Sequence, residues 1–231
     1  MTENIEEQNQ TVDTTKYVYV ILTCTPTKFA GLIRKLMHKP YNHASISFTA
    51  DFKDVYTMGR YRHTTPILAG PIKEYSDRLS LRREKTVPCM IYKIPVNDRQ
   101  YEIGLERIRT IMNEREKYLY NLYSVLTYPI LKGFSTPKAF SCSEFVAYIL
   151  YIMDVQLGRK RISSYTPWYL HEDLKRYVCF EGDVLPLLRE SNHDEVDYFS
   201  KVKFLYRVRG NIIVFYKLLY RLCFGKKQKC Q

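Results

Sequence analysis

No two cysteines of this 231-residue chain fall at Cys-x-x-Cys spacing; the six stand singly at positions 24, 89, 142, 179, 223 and 230. That pattern excludes the common zinc and dithiol redox frameworks. His193 lies beside Asp194 and Glu195 but has no second histidine at helical spacing, so no metal site is expected there either. The N-terminus lacks a basic stretch followed by an apolar one, so no secretory leader is expected. Reduced thiols in a cytoplasmic setting follow from that. The 21 tyrosines are spread along the chain and form no ribonucleoprotein signature, so nucleic acid is not an expected partner. The apolar run from Ile212 to Phe224 holds about 13 residues, short of the roughly 20 that a bilayer-spanning helix needs.

What is present describes a folded, basic protein. Hydrophobic residues make up 45%, which argues against a disordered chain. The net charge is +12 with a pI near 9.3, which favours anionic partners or else a solvated basic surface. Residues 1–16 are polar and acidic and read as a disordered tail. Residues 17–188 read as one domain, and 189–231 as a polar linker followed by an apolar and basic segment.

The chain is organised around Ser141-Cys142-Ser143-Glu144-Phe145-Val146, continuing to Leu150. Phe145, Val146, Ile149 and Leu150 recur at helical spacing, so the segment reads as a helix with a buried face. Ser141 and Glu144 are spaced as a capping box, which places Cys142 in the first helical turn. Unpaired N–H groups and the positive end of the helix dipole favour a thiolate there and can hold an oxyanion. The same position equally suits a small buried residue.

Upstream, Asn42-His43-Ala44-Ser45-Ile46-Ser47-Phe48 alternates as a strand does. Ala44, Ile46 and Phe48 share one face; His43, Ser45 and Ser47 share the other. A second strand, Val55 to Arg60, follows. An imidazole facing a thiol can take its proton and later protonate a leaving group. His171, beside Glu172 and Asp173, is a competing base, although polar clusters on short helices usually face solvent.

The segments "NHASISF", "VYTMGR", "FSCSEFVAYIL" and "YTPWYLHEDL" resemble the circularly permuted papain-fold thiol enzymes. These form the YiiX-like and lecithin-retinol-acyltransferase-like branch of the NlpC-type superfamily. The resemblance spans roughly residues 17 to 185, with the histidine strand before the cysteine helix. It implies an α+β fold, an antiparallel sheet with the cysteine helix packed against it. It implies a hydrolase or acyltransferase in which Cys142 attacks an amide or ester carbonyl and His43 serves as base, then acid. A third polar residue on the strand after the histidine strand would orient His43. Thr57 occupies that strand, and Asp51, Asp54, His63 and Glu74 lie nearby. No metal or organic cofactor is implied. The substrate would be a peptide, a cell-wall fragment or a lipid.

The remaining elements are read from pattern. Tyr17 to Thr23 is a first strand, and Thr27 opens a helix carrying Phe29, Leu32, Ile33, Leu36 and Met37 on one face. Pro88 to Ile94 is a central strand. Asn97 or Asp98 caps a helix to about residue 118, and Leu119 to Leu131 reads as a short buried helix interrupted at Pro129. Thr166-Pro167 starts another helix. Cys24, Cys89 and Cys179 are expected in the core. The Ile212–Phe224 run, with Lys217 and Arg221 on one helical face, either docks on the core or lies at an anionic membrane surface as a peripheral attachment.

Overall fold

The computed structural model describes residues 15–26, 31, 40–65, 67–190 and 198–225. The expected acidic tail up to residue 14, the helix expected from Thr27, His193 and the basic terminus after residue 225 lie outside the described residues.

In chain order the strands are β1 (Lys16–Thr23), β2 (His43–Ser47), β3 (Val55–Arg60), β4 (Ala69–Lys73), β5 (Pro88–Val96), β6 (Leu119–Tyr120), β7 (Ala139–Phe140) and β8 (Val178–Asp183). The helices are α1 (Ser76–Ser80), α2 (Asp98–Asn113), α3 (Leu122–Leu126), α4 (Tyr128–Leu131), α5 (Cys142–Ile152), α6 (Pro167–Leu174) and α7 (Phe204–Phe224). The fold is α+β.

Period-two alternation along the strands divides the interior. Val18, Val20 and Leu22 of β1 and Met90, Tyr92 and Ile94 of β5 enter the main core; Ile21 and Ile91 enter a smaller one behind the sheet. The sheet runs β4-β3-β2-β1-β5-β8, with every neighbouring pair antiparallel. The main core lies under α2 and α5; the smaller one is closed by Leu79 of α1 with Val184 and Leu188. Because both faces are covered, Ser45 and Ser47 of β2 are buried along with Ala44 and Ile46.

Helix α5 is almost wholly enclosed. Phe145, Val146, Ala147, Ile149 and Leu150 are all fully buried. Each of the large ones contributes roughly 1.5–3 kcal/mol through removal from water. That burial fixes the helix on β2 and β3, so its first turn sits at the end of the histidine strand.

Several local expectations are corrected. Helix α2 is capped by Asn97 and Gln100 in a capping box, but it ends at Asn113. The chain turns through Arg115–Lys117 because Leu119 and Tyr120 must pair, in parallel, with Ala139 and Phe140. The expected buried helix over Leu119–Leu131 is two short helices with Leu126, Ile130 and Leu131 exposed. Pro129 stands in the first turn of α4, where its missing N–H has no partner to lose, so it starts a helix rather than breaking one. Cys89 is buried, but Cys179 is exposed, because β8 is an edge strand. The apolar C-terminal run belongs to a longer helix, α7, which starts at Phe204. No helix among the described residues is long and apolar enough to cross a membrane.

Candidate active site

Cys142 opens α5. The Ser141 hydroxyl accepts from the Glu144 N–H at 3.2 Å, and the Glu144 carboxyl accepts from the Ser141 N–H at 2.6 Å. This reciprocal cap occupies the N–H groups of Ser141 and Glu144. It leaves those of Cys142 and Ser143 between them, and the Ser143 N–H bonds the Cys142 sulfur.

His43 is set by its neighbours in the chain. Asn42 is buried, and its Oδ1 accepts from the N–H of Thr25 at 3.0 Å and from the Thr25 hydroxyl at 2.9 Å. That clamp ties the start of β2 to the end of β1. The Ala44 N–H, one residue past His43, also bonds the sulfur.

The structure brings His43 and Cys142 together: ring and sulfur are close enough for each to shift the other's pKa. His43 Nε2 lies 2.9 Å from Glu74 Oε1, so Nδ1 is the nitrogen left for the sulfur. Glu74 follows β4 directly and is buried. Its other oxygen accepts from Arg78 Nε at 3.4 Å, and Arg78 is itself pinned by donating to the Arg60 carbonyl at 2.7 Å.

The third polar group on His43 is therefore Glu74 and not Thr57. Thr57 is buried on β3, and its hydroxyl donates to the Ala44 carbonyl at 2.7 Å. It supports the backbone beside His43. The other nearby candidates lie apart. Asp51 accepts from Thr49 and pairs with Lys53, Asp54 pairs with Lys73 at 2.6 Å, and His63 Nδ1 faces the Tyr198 carbonyl at 3.3 Å. His171 is held by the Tyr92 hydroxyl, 2.7 Å from its Nδ1.

Electrostatics follow from these contacts. Burial would push the His43 ring toward neutrality, but the bonds to Cys142 and Glu74 outweigh it and lift its pKa to about 10. Burial likewise opposes the thiolate, yet the His43 bond and charge, with the Ala44 and Ser143 N–H groups, bring Cys142 below the ordinary cysteine value. Glu74 is held below the usual carboxylate range against its burial by His43 and Arg78. Both shifts favour a thiolate–imidazolium pair, with the Glu74 carboxylate behind it.

Two further groups border the sulfur. Tyr120, placed by the β6–β7 pairing, lies beside Cys142; burial, with the nearby Cys142 and Glu144, raises its pKa well above the normal tyrosine value. The hydroxyl stays protonated and can donate. Glu144 is buried against Ser124 and Asn121, and desolvation pushes its pKa up to about 8. Burial thus favours its uncharged acid form.

A pocket opens over Cys142. Its walls are Tyr41, Val125, Tyr128, Tyr165 and Trp168, and its floor is Cys142, Ser143 and Glu144. The lining contains no lysine or arginine among the described residues. Among the described residues, no three His, Cys, Asp or Glu side chains cluster as a metal site.

Residue reading alone did not find Tyr120, which sits in a two-residue strand with no periodic signal, nor a role for Arg78. The Glu74–Arg78 spacing of i,i+4 was a usable clue to a fixed carboxylate. Comparison of the chain with protein-family models, with curated proteins and with solved structures gave no match.

Proposed function

We propose that the protein is a cysteine-dependent hydrolase or acyltransferase acting on an amide or ester bond. The observation that carries this reading is the half-buried His43, set against Cys142 on one side and bonded on the other, at 2.9 Å, to Glu74. The chain order also supports it. A histidine strand precedes a cysteine helix against one antiparallel sheet, in the manner of the permuted papain-like enzymes.

In the reaction the Cys142 thiolate attacks the carbonyl carbon, forming a C–S bond. Oxygen takes the negative charge, next to the Cys142 N–H and the Tyr120 hydroxyl. The imidazolium of His43 gives its proton to the leaving nitrogen or oxygen as that bond breaks, leaving a thioester. Water or a second acceptor then attacks, passing a proton to His43 as the C–S bond breaks. Glu74 keeps the ring oriented throughout and stabilises its charged form. The aromatic side chains lining the pocket fit an uncharged, apolar acyl side.

The test is a panel of acyl nitrophenyl esters and acyl nitroanilides with charged and uncharged acyl groups. We expect turnover or a burst, a mass increase on Cys142 equal to the acyl group, and loss of both in Cys142→Ala. Turnover unchanged in that variant, or no adduct with any member of the panel, would remove the proposal.

A further inference from the structure

Helix α7 is docked by a narrow stripe. Val214 and Leu218, one turn apart, pack against Leu119 and Ala139, and Arg221 donates to the carbonyls of Lys138 and Lys117 at 3.1 Å each. The opposite side faces solvent and is apolar: Leu205 is 79% exposed, Ile212 63%, Tyr216 66% and Tyr220 56%. Such a surface on a folded protein calls for a partner.

The charges identify its chemistry. Every charged residue of α7 is basic (Arg207, Arg209, Lys217 and Arg221), with no acidic residue along its 21 positions. The sequence continues with Lys226, Lys227 and Lys229. A second copy of this chain laid on the same face would set basic residues against basic residues, with no acid to offset them. Tyr216 and Tyr220 could stack on nucleic-acid bases, but Leu205 and Ile212 on the same face would gain nothing from them. An interfacial lipid layer accepts both features: apolar side chains enter the acyl boundary, and free cations such as Arg209 and Lys217 stay with anionic headgroups, while Arg221 holds the helix on the protein. The helix is about 30 Å long, enough for several headgroups along its side.

We infer that the exposed face of α7 docks the protein, lying flat, on an anionic membrane surface. The Tyr123 ring packs on Phe215 and links α7 to the α3–α4 segment. That segment exposes Leu126, Ile130 and Leu131, while its Ser124, Val125 and Tyr128 line the pocket over Cys142. Docking therefore engages a helix in contact with the pocket wall. No step of the thiol chemistry enters this inference.

The test is co-sedimentation of the full chain with phosphatidylcholine vesicles with and without phosphatidylglycerol. Binding should require the anionic lipid and weaken with salt. The variant Ile212→Ser/Tyr216→Ser/Tyr220→Ser should bind at least tenfold more weakly, with the melting temperature and the Cys142 alkylation rate unchanged. Should that variant fold poorly, Arg209→Gln/Lys217→Gln is the deciding one, and it should lose binding to anionic vesicles. Failure of the wild-type protein to sediment with anionic vesicles would overturn the inference. So would wild-type binding by the folded variants, or a dimer that dissociates in the triple variant while no vesicle binding is seen.

Discussion

Glu74 Oε1 stands 2.9 Å from His43 Nε2, having crossed 31 residues of chain to reach that ring. Two turns of topology make the contact. The β2–β3 and β3–β4 pairings fold the sheet edge back on itself, and Glu74 emerges where β4 ends. Glu74→Gln keeps the shape and removes the charge. A charge-assisted hydrogen bond is worth about 1.5–3 kcal/mol, so imidazolium formation should weaken by that much. Iodoacetamide should then modify Cys142 about 10- to 100-fold more slowly near neutral pH, with Cys89 unaffected. An unchanged rate would show that Glu74 does not support the ion pair.

How much of this was legible in the sequence follows from the range of each signal. The Ser141–Glu144 cap and the buried face of α5 are local patterns, and both read directly. The start of β2 at His43 read equally well. Glu74 was one of several polar residues near the second strand; its i,i+4 spacing to Arg78 marks a fixed carboxylate but not its partner, and strand pairing decides the matter. Tyr120 depends on a parallel pairing of two-residue strands across a 20-residue gap, which leaves no periodic trace. The start of α7 was missed because Arg207, Arg209 and Gly210 interrupt the apolar pattern ahead of Ile212.

Tyr120→Phe tests the hydroxyl beside the sulfur. The ring remains to fill its buried site, so the melting temperature should hold. If the hydroxyl donates to the developing oxyanion, turnover should drop about 10²- to 10³-fold, as for other single donors to such a site. A drop in alkylation rate alone, with acyl transfer spared, would assign it to the thiolate instead.

Arg78 links the pair to a distant part of the chain. Its guanidinium lies 4.1 Å from the centre of the Tyr198 ring, and the Tyr198 hydroxyl accepts from Arg60 at 2.9 Å. Arg78→Met should release Glu74 toward a higher pKa and lower stability by roughly 1.5–3 kcal/mol. Denaturant midpoints of Arg78→Met and Tyr198→Phe would check this, with the larger loss expected for Arg78→Met.

Glu144 gives a pH signature. Its folded pKa of about 8 exceeds its ordinary carboxylate value, so the folded state holds a proton that the unfolded chain has released. Its contribution is present below the unfolded value and declines as pH rises toward 8. Glu144→Gln, uncharged at every pH, should flatten that part of the stability profile relative to wild type. Chemical denaturation at pH 5 and pH 8 makes the comparison, and identical slopes in both proteins would place the ionised carboxylate comfortably in its site.

The thiolate titration of Cys142 tests the central claim most directly. Ultraviolet thiolate absorbance, taken as wild type minus Cys142→Ser across pH, isolates this sulfur from the other cysteines. The ion pair with a ring held protonated to about 10 predicts a thiolate already formed at neutral pH. In His43→Ala the titration should rise to or beyond the free-cysteine value of about 8.5, since burial then acts unopposed by the ring. A wild-type thiol that ionises only above that value, unmoved by His43→Ala, would contradict the account.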